Sequence, residues 1–140
     1  MKARPYRLVL GLLLLLAAIG GAAPAVASTN GVVISELQFR GADGNDEFVE
    51  LLNTSTGSVS IAGWRLQGCA GGSGAPSGRA IVPAGLTLAP GQRYLFFNSN
   101  GTVVGDTPYN LGISDDGGAR ITLADATTVV DGVGLSLIHI

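Results

Sequence analysis

An all-β sandwich is the fold class this sequence predicts, and three observations carry it. Short apolar runs recur at intervals of roughly 10 to 15 residues, a spacing typical of small antiparallel strands. The gaps are filled by Gly, Pro, Asp, Asn and Ser, which bend or relax a backbone at low cost. After the first 27 residues, no stretch keeps apolar side chains at helical period for long enough to matter.

The N-terminus is set aside before the strands are placed. Lys2, Arg4 and Arg7 form a positive region ahead of the apolar run Leu8–Ile19, which is 12 residues long. Small residues at Ala25 and Ala27 suit signal peptidase, so residues 1–27 read as a signal peptide cut before Ser28. Twelve residues fall short of the roughly 20 that cross a bilayer. No membrane association is therefore expected after cleavage, and localisation is expected to be secreted or cell-surface. Residues 28–134 form one small domain with one modest core. That domain holds five arginines against ten carboxylates, a net charge of −5. Five arginines scattered along an acidic chain lack the basic patch that phosphate backbones need, so no direct nucleic-acid partner is expected.

The strands follow in order. Val32–Phe39 (VVISELQF) alternates in part and opens the domain, and Gly41–Asp46 is a loop. Phe48–Leu52 and Ile61–Leu66 are strands on either side of the turn Thr54–Ser58, and together they read as a β-meander. Trp64, the only tryptophan, anchors the second of them. Gly68–Gly78 reads as mobile Gly/Ser coil and contains Cys69, the only cysteine, in an exposed position. A lone cysteine forms no internal bridge, and none of its sequence neighbours would lower its pKa. Ile81–Val82 is a strand fragment between turns, and Arg93–Phe97 (RYLFF) is the most aromatic strand. Asn98–Asp106 is loop. Ala119–Leu123 and Thr127–Val133 are the last two strands, joined by a turn at Ala124–Ala126. The expected core is Val49, Leu51, Trp64, Leu95 and Ile121. Alternation puts Tyr94 and Phe96 on one side of their strand and Phe97 on the other, so part of this aromatic set is a candidate sugar- or peptide-binding face. The apolar end Leu135–Ile140 is not how a soluble domain closes. Residues 135–140 are therefore read as an unreliable or truncated end, and the chain as a fragment of a longer protein.

The ordered set ISEL, NDEFVELLN, IAGWRL, IVPAGLTLAPGQRYLFF, DDGGARITL and VVDGV resembles the lamin-tail domain and covers nearly all of Val32–Val133. The resemblance implies an immunoglobulin-like β-sandwich, in which a tryptophan on the third strand fills the space between the sheets. It also implies a bacterial, exported binding or scaffolding module with no catalytic residues. Family members often stand beside hydrolase domains, extracellular nucleases among them.

Candidate sites remain few. Asp43, Asn45 and Asp46, with Glu47, supply hard oxygens suited to calcium. An EF-hand loop starting at Asp43 would need Gly sixth and Glu twelfth, where Phe48 and Thr54 stand. Only an irregular calcium site is left, and a solvated acidic turn is the plainer reading. No other cofactor is expected. Glu36 and Glu50 interrupt apolar strands, either as an acid/base couple or as outward carboxylates meeting Arg65 or Arg93. His139 is the only histidine, which leaves His-dependent hydrolysis or zinc binding almost no material. Asn53 and Asn100 begin glycosylation sequons. The expected function is a non-enzymatic binding or scaffolding module whose partner is a protein or a surface polysaccharide. The alternative is an N-terminal accessory domain of a secreted metal-dependent nuclease or phosphatase. Ligand and oligomeric state are not legible in the sequence.

Overall fold

The computed structural model describes residues 30–134, and among them every regular element is a β-strand. The signal peptide expected over residues 1–27, the end at 135–140 and His139 lie outside the described residues. The strands are β1 (Val32–Gln38), β2 (Phe48–Asn53), β3 (Val59–Ser60), β4 (Arg65–Cys69), β5 (Pro76–Ile81), β6 (Thr87–Leu88), β7 (Arg93–Asn98), β8 (Thr107–Tyr109), β9 (Gly118–Thr122) and β10 (Val129–Gly134). Two four-stranded sheets, ordered β1-β2-β7-β8 and β10-β9-β4-β5, are joined by a two-stranded ladder of β3 with β6. Along the sandwich edges, β1 lies near β10 and β5 near β8. The arrangement is consistent with an immunoglobulin-like sandwich.

Each sheet turns one face inward, as period-2 alternation requires. From the first sheet come Val49, Leu51, Tyr94, Phe96 and Tyr109, and from the second Leu66, Ala119, Ile121 and Val130, all in one apolar cluster. Tyr94 and Phe96 meet edge-on with ring centroids 5.3 Å apart, an arrangement favoured by the ring quadrupoles. Trp64, Val49, Leu51 and Ile121 all belong to this cluster. Leu95 does not, which corrects its assignment to the core. Tyr94 and Phe96 claim the inner side of β7, so the residue between them must point outward. Leu95 is half-buried because the loop 99–106 runs back over it. A Cβ at Gly105 would lie 2.9 Å from the Leu95 Cδ2, so only glycine fits there.

No meander forms over Glu47–Leu66, because β2 and β4 belong to opposite sheets. The buried Asn53 sets the departure. Its Nδ2 donates to the carbonyls of Gly57 (2.8 Å) and Leu88 (2.9 Å). Its Oδ1 accepts from the Ser55 N–H (2.9 Å) and Oγ (2.7 Å). The amide is thereby fully satisfied. β3 then pairs with β6, Val59 opposite Leu88, so outgoing and returning crossings share one short ladder. Trp64 follows in a turn rather than on a strand: its N–H donates to the Ile61 carbonyl (3.0 Å), and Gly63 takes φ 75°, a conformation cheap only for glycine. The Ile61–Leu66 run therefore breaks at Ala62-Gly63, while the Trp64 ring remains buried.

The Gly-rich stretch is ordered too. β4 continues through Cys69, β5 begins at Pro76, and mutual bonds between residues 70 and 74–75 close the hairpin. Cys69 is buried, not exposed, between the hairpin and β9. β8 carries no strand signal in the sequence because it is only three residues long with Pro108 at its centre. Proline is tolerated there because β8 is an edge strand.

Replacing Trp64 by Ala is expected to cost about 3–5 kcal/mol, a large share of the stability of a domain this small. Thermal melting checks it, and a near-native midpoint would contradict the role assigned to the ring.

Candidate functional site

The loop that carries the calcium candidates is tied down by its own side chains. Asp46 is buried, and its Oδ1 accepts from the N–H (2.7 Å) and Oγ1 (2.8 Å) of Thr102 while Oδ2 accepts from the Asp43 N–H (2.9 Å). The bonds from the Asp43 and Thr102 backbones, then the Thr102 hydroxyl, hold the Asp46 carboxyl below the usual range. Asp43 Oδ1 accepts from the N–H (2.8 Å) and Nδ2 (3.2 Å) of Asn45. These bonds fasten the loop 41–46 to itself and to the loop 99–106. Among the described residues, no group of three or more His, Cys, Asp or Glu is placed to hold a metal ion.

Glu47 is buried at the same end of the sandwich. It accepts from Asn98 Nδ2 (2.9 Å) and from the Ile113 N–H (3.3 Å), joining β7 to the segment ahead of β9. Burial, with the Glu47 charge adding to it, pushes the Tyr109 hydroxyl pKa up, and this hydroxyl has no hydrogen-bond partner among the described residues. Glu36 and Glu50 do sit opposite each other on β1 and β2. Glu36 is exposed, whereas Glu50 pairs with Arg93 and accepts from Ser35 Oγ at 2.6 Å. Glu50 thus serves an ion pair across β2 and β7. Burial raises the Cys69 thiol pKa, against opposing pulls from Arg120 and Arg79, which disfavours the reactive thiolate. Asn53 is wholly buried and its Nδ2 bonded, so the first sequon is closed to modification in the folded chain. Asn100 is exposed.

What remains available are the two outer faces. On the β1-β2-β7-β8 sheet, Phe48 stands opposite Phe97, both half-buried, beside the Glu50–Arg93 pair. Of the aromatic set considered for binding, only Phe97 lies on an outer face; Trp64, Tyr94 and Phe96 are in the core. The other sheet gathers what the sequence does not show as a group. Arg65 on β4, Arg79 on β5 and Arg120 on β9 come onto adjacent strands, so the arginines are not scattered in space. Arg65, Gln67, Gly78, Arg79, Ala80 and Ile81 line a concavity of about 400 Å³. The signal was present but incomplete. Each arginine precedes an inward residue, Leu66, Ala80 or Ile121, yet nothing in the sequence says that these strands are neighbours.

Against known proteins, the profile of the Lamin Tail Domain family matches residues 25–136. No curated protein matches the chain closely enough to count as a relative.

Asp125 gives this arrangement a pH dependence. The Thr128 hydroxyl, the Thr128 N–H (2.8 Å) and the Thr127 N–H (2.9 Å) hold its carboxyl down at about 2, against 3.8 ordinarily. A folded pKa below the unfolded one stabilises above the unfolded value and is lost as pH falls through the folded one. Stability is therefore expected to drop between about pH 4 and pH 2, with Asp46 acting in the same sense, and Asp125→Asn should flatten that drop. Thermal melts across the acid range check it; an unchanged acid slope in the variant would contradict it.

Proposed function

Because the chain belongs to the lamin-tail-domain family, we propose that it is an exported, non-enzymatic binding or scaffolding module of a bacterial cell surface. The observation that carries this reading is how the acidic side chains are used. Asp46 and Glu47 fasten loops and strand ends, Asp125 closes a turn, and Glu50 and Asp115 pair with Arg93 and Arg40. General acid/base chemistry needs a carboxyl whose pKa is brought towards neutrality, whereas Asp46 and Asp125 are shifted the other way. The concavity on the second sheet is lined by arginine, glutamine and small or aliphatic side chains, a surface suited to holding a partner. Residues 1–27 support export through the positive-then-apolar pattern.

The same module would also serve as the accessory domain of a secreted metal-dependent nuclease or phosphatase. In that case the histidines and carboxylates for catalysis come from further chain.

The reading is tested by assaying the purified protein on chromogenic phosphodiester, phosphomonoester, ester and glycoside substrates, with and without added divalent metal. Background rates are expected throughout. Turnover above background that copurifies with the protein would overturn the non-enzymatic reading. Mass spectrometry of the chain recovered outside expressing cells should find Ser28 as the first residue, and retention of residues 1–27 there would contradict cleavable export.

A further inference from the structure

The five arginines of the domain divide into two kinds. Arg40 and Arg93 each pair with a carboxylate, Asp115 and Glu50. Arg65, Arg79 and Arg120 meet no carboxylate among the described residues, although the chain has ten. Each of the three is anchored through Nε instead. Arg65 donates to the Ala124 carbonyl (3.1 Å), Arg79 to the Gly112 carbonyl (3.0 Å) and Arg120 to Gln67 Oε1 (2.7 Å). Arg79 also uses Nη1 on Ser77 and Gly78. Both terminal nitrogens of Arg65 and Arg120, and Nη2 of Arg79, have no acceptor among the described residues. An arginine fixed at Nε presents an oriented donor fork, which suits a planar carboxylate.

Apolar side chains flank these forks. Sheet register places Ile81, Arg65, Thr122 and Val129 in one row across β5, β4, β9 and β10. At about 4.8 Å per strand, the row spans roughly 14 Å. Ile81 is 53% exposed and Val129 45% exposed. Between them, the fully buried Thr122 hydroxyl lacks a hydrogen-bond partner among the described residues.

We propose that this outer face of the β10-β9-β4-β5 sheet docks a partner polypeptide whose segment carries carboxylates beside apolar side chains. The carboxylates meet Arg65 and Arg120, and the apolar side chains cover Ile81 and Val129. Arg79, at the bulge of β5, turns its guanidinium under Gly68 to the edge facing β8 and is not part of the contact. This deepens the binding-module reading and rests on it. A sugar acid fits less well, because Trp64, Tyr94, Phe96 and Tyr109 are buried and leave no aromatic platform on this face. A nucleic acid fits less well again, since three arginines on a chain of ten carboxylates make a poor track for phosphates.

The test is fluorescence anisotropy with a labelled short peptide of alternating leucine and glutamate. Its glutamine counterpart, polygalacturonate, a single-stranded oligonucleotide and inorganic phosphate serve as comparison probes. The glutamate peptide is expected to bind, the glutamine peptide not, and added salt to weaken binding. The double variant Arg65→Gln/Arg120→Gln should lower affinity by about tenfold or more. Gly78→Val should do likewise by filling the concavity, because an added Cβ there meets nothing within 4 Å and the fold is left undisturbed. Arg40→Gln, at the far end of the sandwich, should leave affinity unchanged, and melting curves should show all variants folded. No peptide binding, equal binding of the glutamine peptide, or indifference to both Arg65→Gln/Arg120→Gln and Gly78→Val would overturn the proposal. So would arginine-dependent binding of polygalacturonate, oligonucleotide or phosphate in place of the peptide. Substrate turnover is measured on the same preparation. Failed peptide binding without turnover removes this docking face alone, whereas turnover removes the non-enzymatic reading beneath it.

Discussion

Asn53 stands where the chain leaves one sheet for the other, and its side-chain amide makes that departure possible. A buried amide left unsatisfied costs roughly 1–3 kcal/mol, so its placement matters as much as its presence. Here both donors and both acceptor positions of the amide are filled, by Gly57, Leu88 and Ser55. The bond to Leu88 reaches 35 residues along the chain, to the strand that brings the return crossing. β3 and β6 pair beside it, and Ile61, Val82 and Leu88 are buried around them. The two large sheets share one core because both crossings are held at this point.

Core and surface follow from that closure. The inner faces take Trp64, Tyr94, Phe96 and Tyr109, which contribute the largest apolar areas available. On the outer faces the charges are unevenly divided. Glu36 and Glu50 lie on the β1-β2 side, and the arginines without carboxylate partners lie on β4, β5 and β9. On the first face Arg93 neutralises Glu50, whereas Arg65 and Arg120 on the second keep unopposed positive charge.

Much of the strand pattern is legible in the sequence, since alternation and turn residues act locally. Val49, Leu51 and Ile121 could be placed from their strands alone. Leu95 points outward by the same alternation, opposite Tyr94 and Phe96, and only its half-burial under the loop with Gly105 is a contact that alternation does not encode. At Asn53 the sequence suggests a hairpin turn, since Thr54–Ser58 does bend the chain, but the partner that decides the direction is Leu88. Cys69 looks exposed among glycines, yet Gly117, from the segment ahead of β9, lets that backbone close onto the Cys69 carbonyl and bury it. The arginine face needs the strand order β9-β4-β5, which is a property of topology. The acidic loop shows its donors and acceptors plainly in sequence, but only the fold supplies Thr102 to Asp46.

Native-state amide hydrogen exchange, resolved residue by residue, tests the shared core held through the Asn53 crossing most directly. Amides of β2 and β7 in one sheet and β4 and β9 in the other should open with a common free energy, as one cooperative unit. Distinct opening energies, with one sheet exchanging while the other stays protected, would contradict a single core closed at that crossing.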